Sequence, residues 1–210
     1  MTDKMREKLV FEREAEENGY KYIAGVDEVG RGPLAGPVVC CAVIMPLNEE
    51  DIIDGVDDSK KVSEKKRKLL SEKIKEKAIA YKICQVEPKE IDEINVLEAT
   101  KKCMKECIEN LSVPPDIVLI DAVKIDTKYP VKPIIKGDAK SYTIGAASIV
   151  AKVYRDSLME EYDKIYPEYD FKSNKGYGTK KHIDALKEVG ACPIHRKTFI
   201  KNFSVQEGNS

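Results

Sequence analysis

The sequence lacks the features of an exported, membrane-bound or zinc-binding protein. No apolar run approaches ~20 residues and the first residues are polar, so we expect no membrane span and no export signal, and a cytoplasmic location. The six cysteines include no Cys-x-x-Cys pair, and two histidines are too few for a familiar zinc pattern. We interpret the cysteines as reduced core thiols. Cys103 and Cys107, four residues apart on a predicted helix, could bind a soft metal ion, but two ligands alone do not make a metal site.

The chain also lacks a large net charge of either sign. It has 36 Lys and Arg against 37 Asp and Glu, a formal net charge of −1. The charge is unevenly distributed, because residues 171–202 hold eight basic residues and only two acidic ones. This stretch is either a surface for a nucleic-acid backbone or an ordinary solvated face.

There is no internal repeat and no long linker, so 210 residues with 42% hydrophobic content indicate one domain. Periodicity and capping residues predict five helices, and apolar runs predict five strands. Three consecutive strands followed by strand–helix alternation favour an α/β fold with a mixed sheet and helices on both faces. The predicted helices are 2–18, 63–77, 95–111, 141–165 and 179–189, and the predicted strands are 22–26, 38–45, 78–86, 116–121 and 131–135.

Two adjacent acids, Asp27 and Glu28, follow the first strand and precede the turn Gly30-Arg31-Gly32. Neighbouring strand residues point to opposite faces, so the two acids can share a site only if the strand stops or bends there. The glycines permit a bend and close approach of a ligand, and Arg31 supplies a fork suited to phosphate. Solvated loop charges are the alternative. The pattern favours phosphodiester chemistry with two divalent ions, Mg²⁺ or Mn²⁺ rather than zinc, because the ligands are hard oxygens.

Two further acids are candidates for the same site. Asp121 ends the buried strand 116–121, at the sheet edge where ligands commonly bind, although it could instead be a turn or cap residue. Asp156 shares a helix face with Ile149 and Val153, which points it toward the sheet, although it could instead pair with Lys152 four residues earlier.

A tyrosine between two glycines, Tyr177, can present its ring to a sugar or base, and Lys180 and Lys181 could follow the phosphates. Tyr177 could equally be an ordinary loop anchor.

Taken together, these motifs closely resemble those of bacterial type 2 ribonuclease H, the ribonuclease HII family. The resemblance covers nearly the whole chain. Besides the residues above, it rests on Asp58-Ser59-Lys60-Lys61, the 146–156 helix, Gly176-Tyr177-Gly178-Thr179 and His195-Arg196. It implies a ribonuclease H-like mixed sheet flanked by helices, with a C-terminal helical substrate-binding extension over roughly 167–210.

The resemblance also implies an activity, which is metal-dependent cleavage of RNA in RNA/DNA hybrids. It extends to cutting 5′ of single ribonucleotides in duplex DNA, leaving 3′-hydroxyl and 5′-phosphate ends. The four acids would hold two Mg²⁺ or Mn²⁺ ions. The 30–32 turn would read the 2′-hydroxyl, Tyr177 would pack on the sugar after the ribonucleotide, and Lys60 and Lys180 would contact substrate.

The sequence departs from the family's pattern at two places. The family more often has glycine after the third acid, where this chain has Ala122. The tail 205–210 lacks an aromatic clamp-binding motif, so we expect no clamp partner through it. Separately, we expect the protein to be a monomer. A non-catalytic nucleic-acid-binding module is a competing hypothesis, but four carboxylates near a polyanion would cost affinity unless metals neutralise them. Another nuclease of this fold is a further alternative, which the 30–32 turn and Tyr177 disfavour.

Overall fold

The fold is a five-stranded mixed sheet, seen in a computed structural model that describes residues 2–121 and 123–203. The strand order is β3-β2-β1-β4-β5. β2 is antiparallel to both β1 and β3, whereas β1, β4 and β5 run parallel to one another. This confirms the predicted mixed sheet. The strands are β1 (Ile23–Val29), β2 (Val38–Ile44), β3 (Ala80–Val86), β4 (Ile117–Asp121) and β5 (Val131–Ile134).

Helices cover both faces of the sheet, also as predicted. α5 packs on one face, and α7, with α1 to α3, packs on the other. Ser141 and Thr179 cap their helices through their side-chain oxygens, and the Asn95 side chain accepts from two amides at the start of α5. The helices are α1 (Asp3–Lys8), α2 (Val10–Glu17), α3 (Glu64–Lys77), α4 (Pro88–Ile94), α5 (Val96–Glu109), α6 (Gly137–Lys140), α7 (Tyr142–Ile165), α8 (Phe171–Asn174), α9 (Lys180–Val189) and α10 (Lys197–Ile200).

The start of α7 lies directly on strand β1. A Cβ atom added to Gly25 would fall 2.1 Å from the carbonyl carbon of Thr143 and 2.4 Å from the amide nitrogen of Ile144. The strand therefore accepts only glycine at this point. Small residues at Ala146 and Ala147, both fully buried, continue the close packing along the helix.

The predicted first helix, 2–18, is wrong as a single element, because the chain breaks at Leu9 into α1 and α2. The break follows Lys8, whose buried ammonium bonds Asp57 at 2.8 Å and the Ala139 carbonyl at 2.6 Å. One turn later, Glu12 is fully buried and bonds residues at the start of α7. Its carboxylate accepts from the Ser141 hydroxyl at 2.6 Å and from the amide and hydroxyl of Thr143, both at 2.9 Å.

The C-terminal part of the chain has a hydrophobic cluster of its own. Phe171, Leu186 and Ile200 pack there with Met159 of α7 and Ala35 of the β1–β2 connection. This cluster lies apart from the two that cover the faces of the sheet. A separate substrate-binding extension starting near residue 167 remains a prediction.

Other expectations differ in detail. Ser63 and Thr2 precede helices but make no side-chain cap bond. The short helices α4, α6, α8 and α10 were not predicted, since one or two turns leave little periodicity to detect. All six cysteines are free, and Cys103 and Cys107 lie on the buried face of α5, in the core. Within residues 2–121 and 123–203, no helix has the length and apolarity needed to cross a membrane.

Candidate active site

The three acids predicted at strand ends meet at one edge of the sheet. Val26 of β1 is level with Ile120 of the parallel strand β4, so Asp27 and Asp121 follow side by side. β1 does not stop after residue 26 as predicted, because its pairing with β2 continues to Val29. Its pairing with β4 does end at Val26, which leaves the β4 side of Asp27 and Glu28 open. The strand carries the two acids on opposite faces beside that open edge.

A cavity of about 430 Å³ lies at this edge. It brings together most of the residues that the sequence singled out, including the 30–32 turn, Lys60 and Tyr177. Its lining is Asp27, Glu28, Val29, Gly30, Arg31, Gly32, Ser59, Lys60, Asp121, Asp138, Ser148, Lys152 and Tyr177.

The fourth acid of the cavity is Asp138, which the sequence analysis missed. It lies in the single turn α6, after Lys136 in a left-handed conformation. A Cβ atom on Gly137 would lie 3.5 Å from the Cα of Asp121, so the backbone beside Asp138 packs tightly against the end of β4. The available signal was the tripeptide Lys136-Gly137-Asp138 between a strand and the Ser141 cap, but it carries no periodicity.

The structure does not bring Asp156 to this cavity. Its carboxylate is bound by Lys152 at 2.6 Å and approached by Arg67 at 3.8 Å. The i,i+4 pair with Lys152, considered as the alternative, is the arrangement present. The helix face that Asp156 shares with Ile149 and Val153 does bury it, but one turn beyond the part of α7 that faces the cavity.

Burial and mutual repulsion penalise the charged forms of the cavity acids. Burial, then Glu28 and Asp138, raises the pKa of Asp27 well above its usual value, and the Ser148 hydroxyl opposes the rise. Burial and Asp121 also raise the pKa of Glu28, against the lowering effect of Arg31. The pKa of Asp138 is raised by burial and by Asp58 and Asp121. A bound cation would relieve this repulsion.

The donors present fit hard divalent ions. Four carboxylates and no sulfur or imidazole group line the cavity, and oxygen ligands suit Mg²⁺ and Mn²⁺. Across residues 2–121 and 123–203, no group of three or more His, Cys, Asp or Glu side chains is arranged to hold a metal ion as it stands.

The glycines of the 30–32 turn have different surroundings. The space where a Cβ of Gly30 would lie is filled by Arg155, whose Nε is 2.2 Å from that position, and Gly30 has φ +92°. Gly30 therefore makes room for the Arg155 side chain. The prediction that this glycine permits close approach of a ligand is wrong. A Cβ on Gly32 would meet only the ring of Tyr177 at 3.6 Å. Arg31 points one guanidinium nitrogen at Glu28, 3.5 Å away.

The basic residues that the sequence singled out, Lys60 and those of the stretch 171–202, have different surroundings. Lys60 is exposed at the cavity, whereas Lys180 is exposed at the start of α9 and does not line it. Lys175 and Lys181 form ion pairs with Glu160 and Asp170. Arg196, counted in the sequence as surface charge, is fully buried.

Two buried histidines tie the Tyr177 loop to the C-terminal segment. His182 Nδ1 lies 2.9 Å from the Tyr177 carbonyl, which can only accept, so this nitrogen carries the proton. His182 Nε2 is then an acceptor for His195 Nε2, 2.9 Å away. His195 Nδ1 in turn accepts the amide of Cys192 at 3.0 Å. With both rings neutral, each ring nitrogen therefore has a matching partner.

We expect the folded protein to lose stability below neutral pH. Burial lowers the pKa of both rings, and burial together with His182 lowers that of His195 to about 4. The unfolded chain protonates first, near 6.5, so stability is full above that pH and falls between 6.5 and about 4, by roughly 2–3 kcal/mol. His195→Gln keeps a donor toward His182 but does not titrate, so its free energy of unfolding should vary less over this range. Urea unfolding at several pH values measures the difference, and parallel profiles would contradict the expectation.

Comparison with known proteins gives consistent matches. The profile of the family described as Ribonuclease HII matches residues 24–202. A protein named Ribonuclease HII from Ruminiclostridium cellulolyticum is 52% identical over 204 residues, covering 96% of this chain and 78% of the relative. Another, from Acetivibrio thermocellus, is 54% identical over 200 residues, covering 95% of this chain and 77% of the relative.

Solved structures agree in fold. The ribonuclease H2 of Pyrococcus horikoshii OT3 superposes with a TM-score of 0.74 at 30% identity, over 85% of this chain and 93% of that one. The RNase HII of Archaeoglobus fulgidus, solved in a complex with PCNA, gives a TM-score of 0.73 at 27% identity, over 90% and 98%.

Proposed function

The chain belongs to the ribonuclease HII family, and from this premise we propose that it cuts both RNA/DNA hybrids and duplex DNA that carries a single ribonucleotide. Membership makes it a ribonuclease H, an endonuclease that hydrolyses RNA in hybrids. The finer part of the proposal is a cut 5′ of a lone ribonucleotide that leaves 3′-hydroxyl and 5′-phosphate ends. Such a cut would begin the removal of ribonucleotides from DNA.

One observation carries the proposal. Four carboxylates, a glycine turn and an exposed tyrosine line a single cavity, which supports metal-binding and sugar-reading groups acting on adjacent nucleotides of one strand. A binding module without chemistry has no use for four acids beside a polyanion, because their repulsion lowers affinity.

We propose that Asp27, Glu28, Asp121 and Asp138 hold two divalent ions, Mg²⁺ or Mn²⁺. The family depends on divalent metal. When bound, such ions activate a water and stabilise the leaving oxygen. The chain's own part is to keep the four acids in a partly dry edge of the sheet, where a cation is strongly favoured. Asp156 is then not a ligand but the partner that holds Lys152 beside the cavity.

We propose that the 30–32 turn reads the 2′-hydroxyl, the feature that separates RNA from DNA at one position. Gly32 supports this role, since only the Tyr177 ring would contact a Cβ there. The Tyr177 side chain is 45% exposed and suits packing on the next sugar. Lys60 and Lys180 would contact phosphates, with Lys180 reached only by a substrate that extends beyond the cavity.

Three further proposals concern the setting of the activity. Residues from about 167 onward would serve as the substrate-binding extension. The protein would act as a cytoplasmic monomer. The A. fulgidus relative was solved with PCNA, whereas we propose no clamp contact through the tail 205–210 of this chain, which lies outside the described residues, as does Ala122.

Cleavage of a duplex with one ribonucleotide, compared with a long hybrid, tests the proposal. Wild-type protein with Mg²⁺ or Mn²⁺ should cut both, and all-DNA duplex should stay intact. Tyr177→Ala should lower the cleavage rate about 10- to 100-fold on the single-ribonucleotide duplex, because losing one stacking contact costs ~1–3 kcal/mol. The cleavage rate on the long hybrid should fall much less. Tyr81, 41% exposed on β3 and outside the cavity, gives the matched control Tyr81→Ala. Equal losses on both substrates would remove Tyr177 from junction recognition, and tight binding without cleavage would favour the non-catalytic module.

A further inference from the structure

Two arginines are fully buried although no carboxylate in the described part of the chain forms an ion pair with them. Arg155 lies on α7, and Arg196 lies just before α10. A buried cation without a counter-ion is strongly destabilising unless hydrogen bonds satisfy it. Burial lowers the pKa of Arg155 to about 10 and that of Arg196 to about 9, so both remain charged at neutral pH.

Arg196 bonds the turn between β1 and β2 from behind. Its Nη1 donates to the Arg31 carbonyl at 2.8 Å, and one Nη2 bond goes to the Gly30 carbonyl. Nε and Nη2 both reach the Gly36 carbonyl, at 3.0 and 2.8 Å. One guanidinium therefore joins the two ends of the turn.

Arg155 completes the support from the other side. Its Nε donates to the Pro37 carbonyl at 2.9 Å and its Nη2 to the Ala35 carbonyl at 3.1 Å. Its Nη1 reaches the Lys175 carbonyl at 2.8 Å, two residues before Tyr177. Both walls of the cavity, the 30–32 turn and the Tyr177 loop, are thus attached to buried guanidinium groups.

The direction of these carbonyls determines what the turn presents to the cavity. In a planar trans peptide, the N–H points opposite to the C=O. With the carbonyls of Gly30 and Arg31 turned to Arg196, the amides of Arg31 and Gly32 point the other way. Neither amide donates to any acceptor among residues 2–121 and 123–203. Two donors remain available for a substrate oxygen.

We propose that Arg196, with Arg155, is a positioning residue for ribonucleotide recognition, holding the 30–32 turn so that its amides face the sugar and phosphate of the substrate. The inference rests on the proposed function. It makes recognition depend on the C-terminal segment, which reaches the turn through Arg196. The paired positive charge beneath the turn also favours the phosphodiester there.

The conservative variant Arg196→Lys separates this role from a general structural one. Lysine keeps the charge but cannot span three carbonyls, so two or more charge-assisted bonds are lost. We expect kcat/KM on the single-ribonucleotide duplex to fall about 30- to 100-fold. The fold-loss on the long hybrid should be smaller by a factor of at least about five. The control is Leu186→Ala, which changes the C-terminal hydrophobic cluster away from the turn. It should lower kcat/KM by the same factor on both substrates. Equal loss in Arg196→Lys would overturn the proposal.

Two readouts without cleavage make the test independent of catalytic turnover, and the second one uses only the wild-type protein. Hydrogen exchange of peptides covering 30–36 should be faster in Arg196→Lys than in wild type, and unchanged in Leu186→Ala. In wild-type protein labelled with [¹⁵N]arginine, the slowly exchanging Nη signals should shift when metal-free protein binds the single-ribonucleotide duplex. An all-DNA duplex should leave them in place, and equal shifts with both duplexes would overturn the proposal. Failure of wild-type protein to cut would instead count against the proposed function.

Discussion

Asp138→Asn is expected to lower kcat for hybrid cleavage by at least about 10²–10³-fold, the scale seen when one preorganised electrostatic group is removed from an active site. Asp138 lines the cavity, and its carboxylate contributes to the raised pKa of Asp27. Asp121 in turn contributes to the raised pKa of Asp138. Asparagine keeps the shape but removes the charge that would attract a metal ion. Asp27→Asn should have a similar effect, with hybrid binding largely retained.

Asp156→Asn is the matched contrast, because it removes the same charge from an aspartate of α7 that does not line the cavity. Its kcat should stay within about fivefold of wild type. The free energy of unfolding should fall by about 2–3 kcal/mol, since Lys152 would lose its partner in a largely buried position. Initial rates over a range of Mg²⁺ and Mn²⁺ concentrations and urea unfolding measure both effects. Near-wild-type turnover in Asp138→Asn with a large loss in Asp156→Asn would return the fourth ligand to Asp156.

Gly25→Ala is expected to lower the free energy of unfolding by more than about 3 kcal/mol, at or beyond the upper end for an overpacked core. All three atoms nearest the new methyl group belong to the backbone of Thr143 and Ile144, at 2.1–2.4 Å, so no side chain can move aside. Helix α7 would have to leave the strand, taking Ser148 away from Asp27.

Gly32→Ala serves as the control for Gly25→Ala. Its new methyl group would have an ordinary contact of 3.6 Å with Tyr177, so stability should change by less than about 0.5 kcal/mol. Urea unfolding of the two variants under one buffer condition gives the comparison. Similar midpoints for both would mean that α7 is not seated on β1 as described.

Most strands of the sheet could be predicted from the sequence, because strands such as 38–45 are continuous apolar runs. A buried strand needs little else to be recognised. Asp27, Glu28 and Asp121 could be predicted for a related reason, since Asp27 and Asp121 each end such a run and Glu28 follows directly. The parallel pairing of β1 with β4 then places Asp27 beside Asp121.

Asp138 and Arg196 could not be predicted in the same way. Asp138 owes its place to the packing of Gly137 against Asp121, a contact between separate segments that no local pattern reveals. Arg196 resembles any basic residue of a charged stretch until the carbonyls around it are known. For Asp156, an apolar helix face correctly indicated burial, but burial does not specify which neighbour the side chain meets.

The bonds between Glu12 and Thr143 join residues 131 positions apart. A ribosome adding 5–20 residues per second needs about 7–26 s to make that interval. During this time Met5 and Leu9, which are buried in the finished protein, have no complete sheet to cover them. The first helices to be synthesised are therefore among the last to dock, and the nascent chain carries these apolar side chains uncovered through most of its translation.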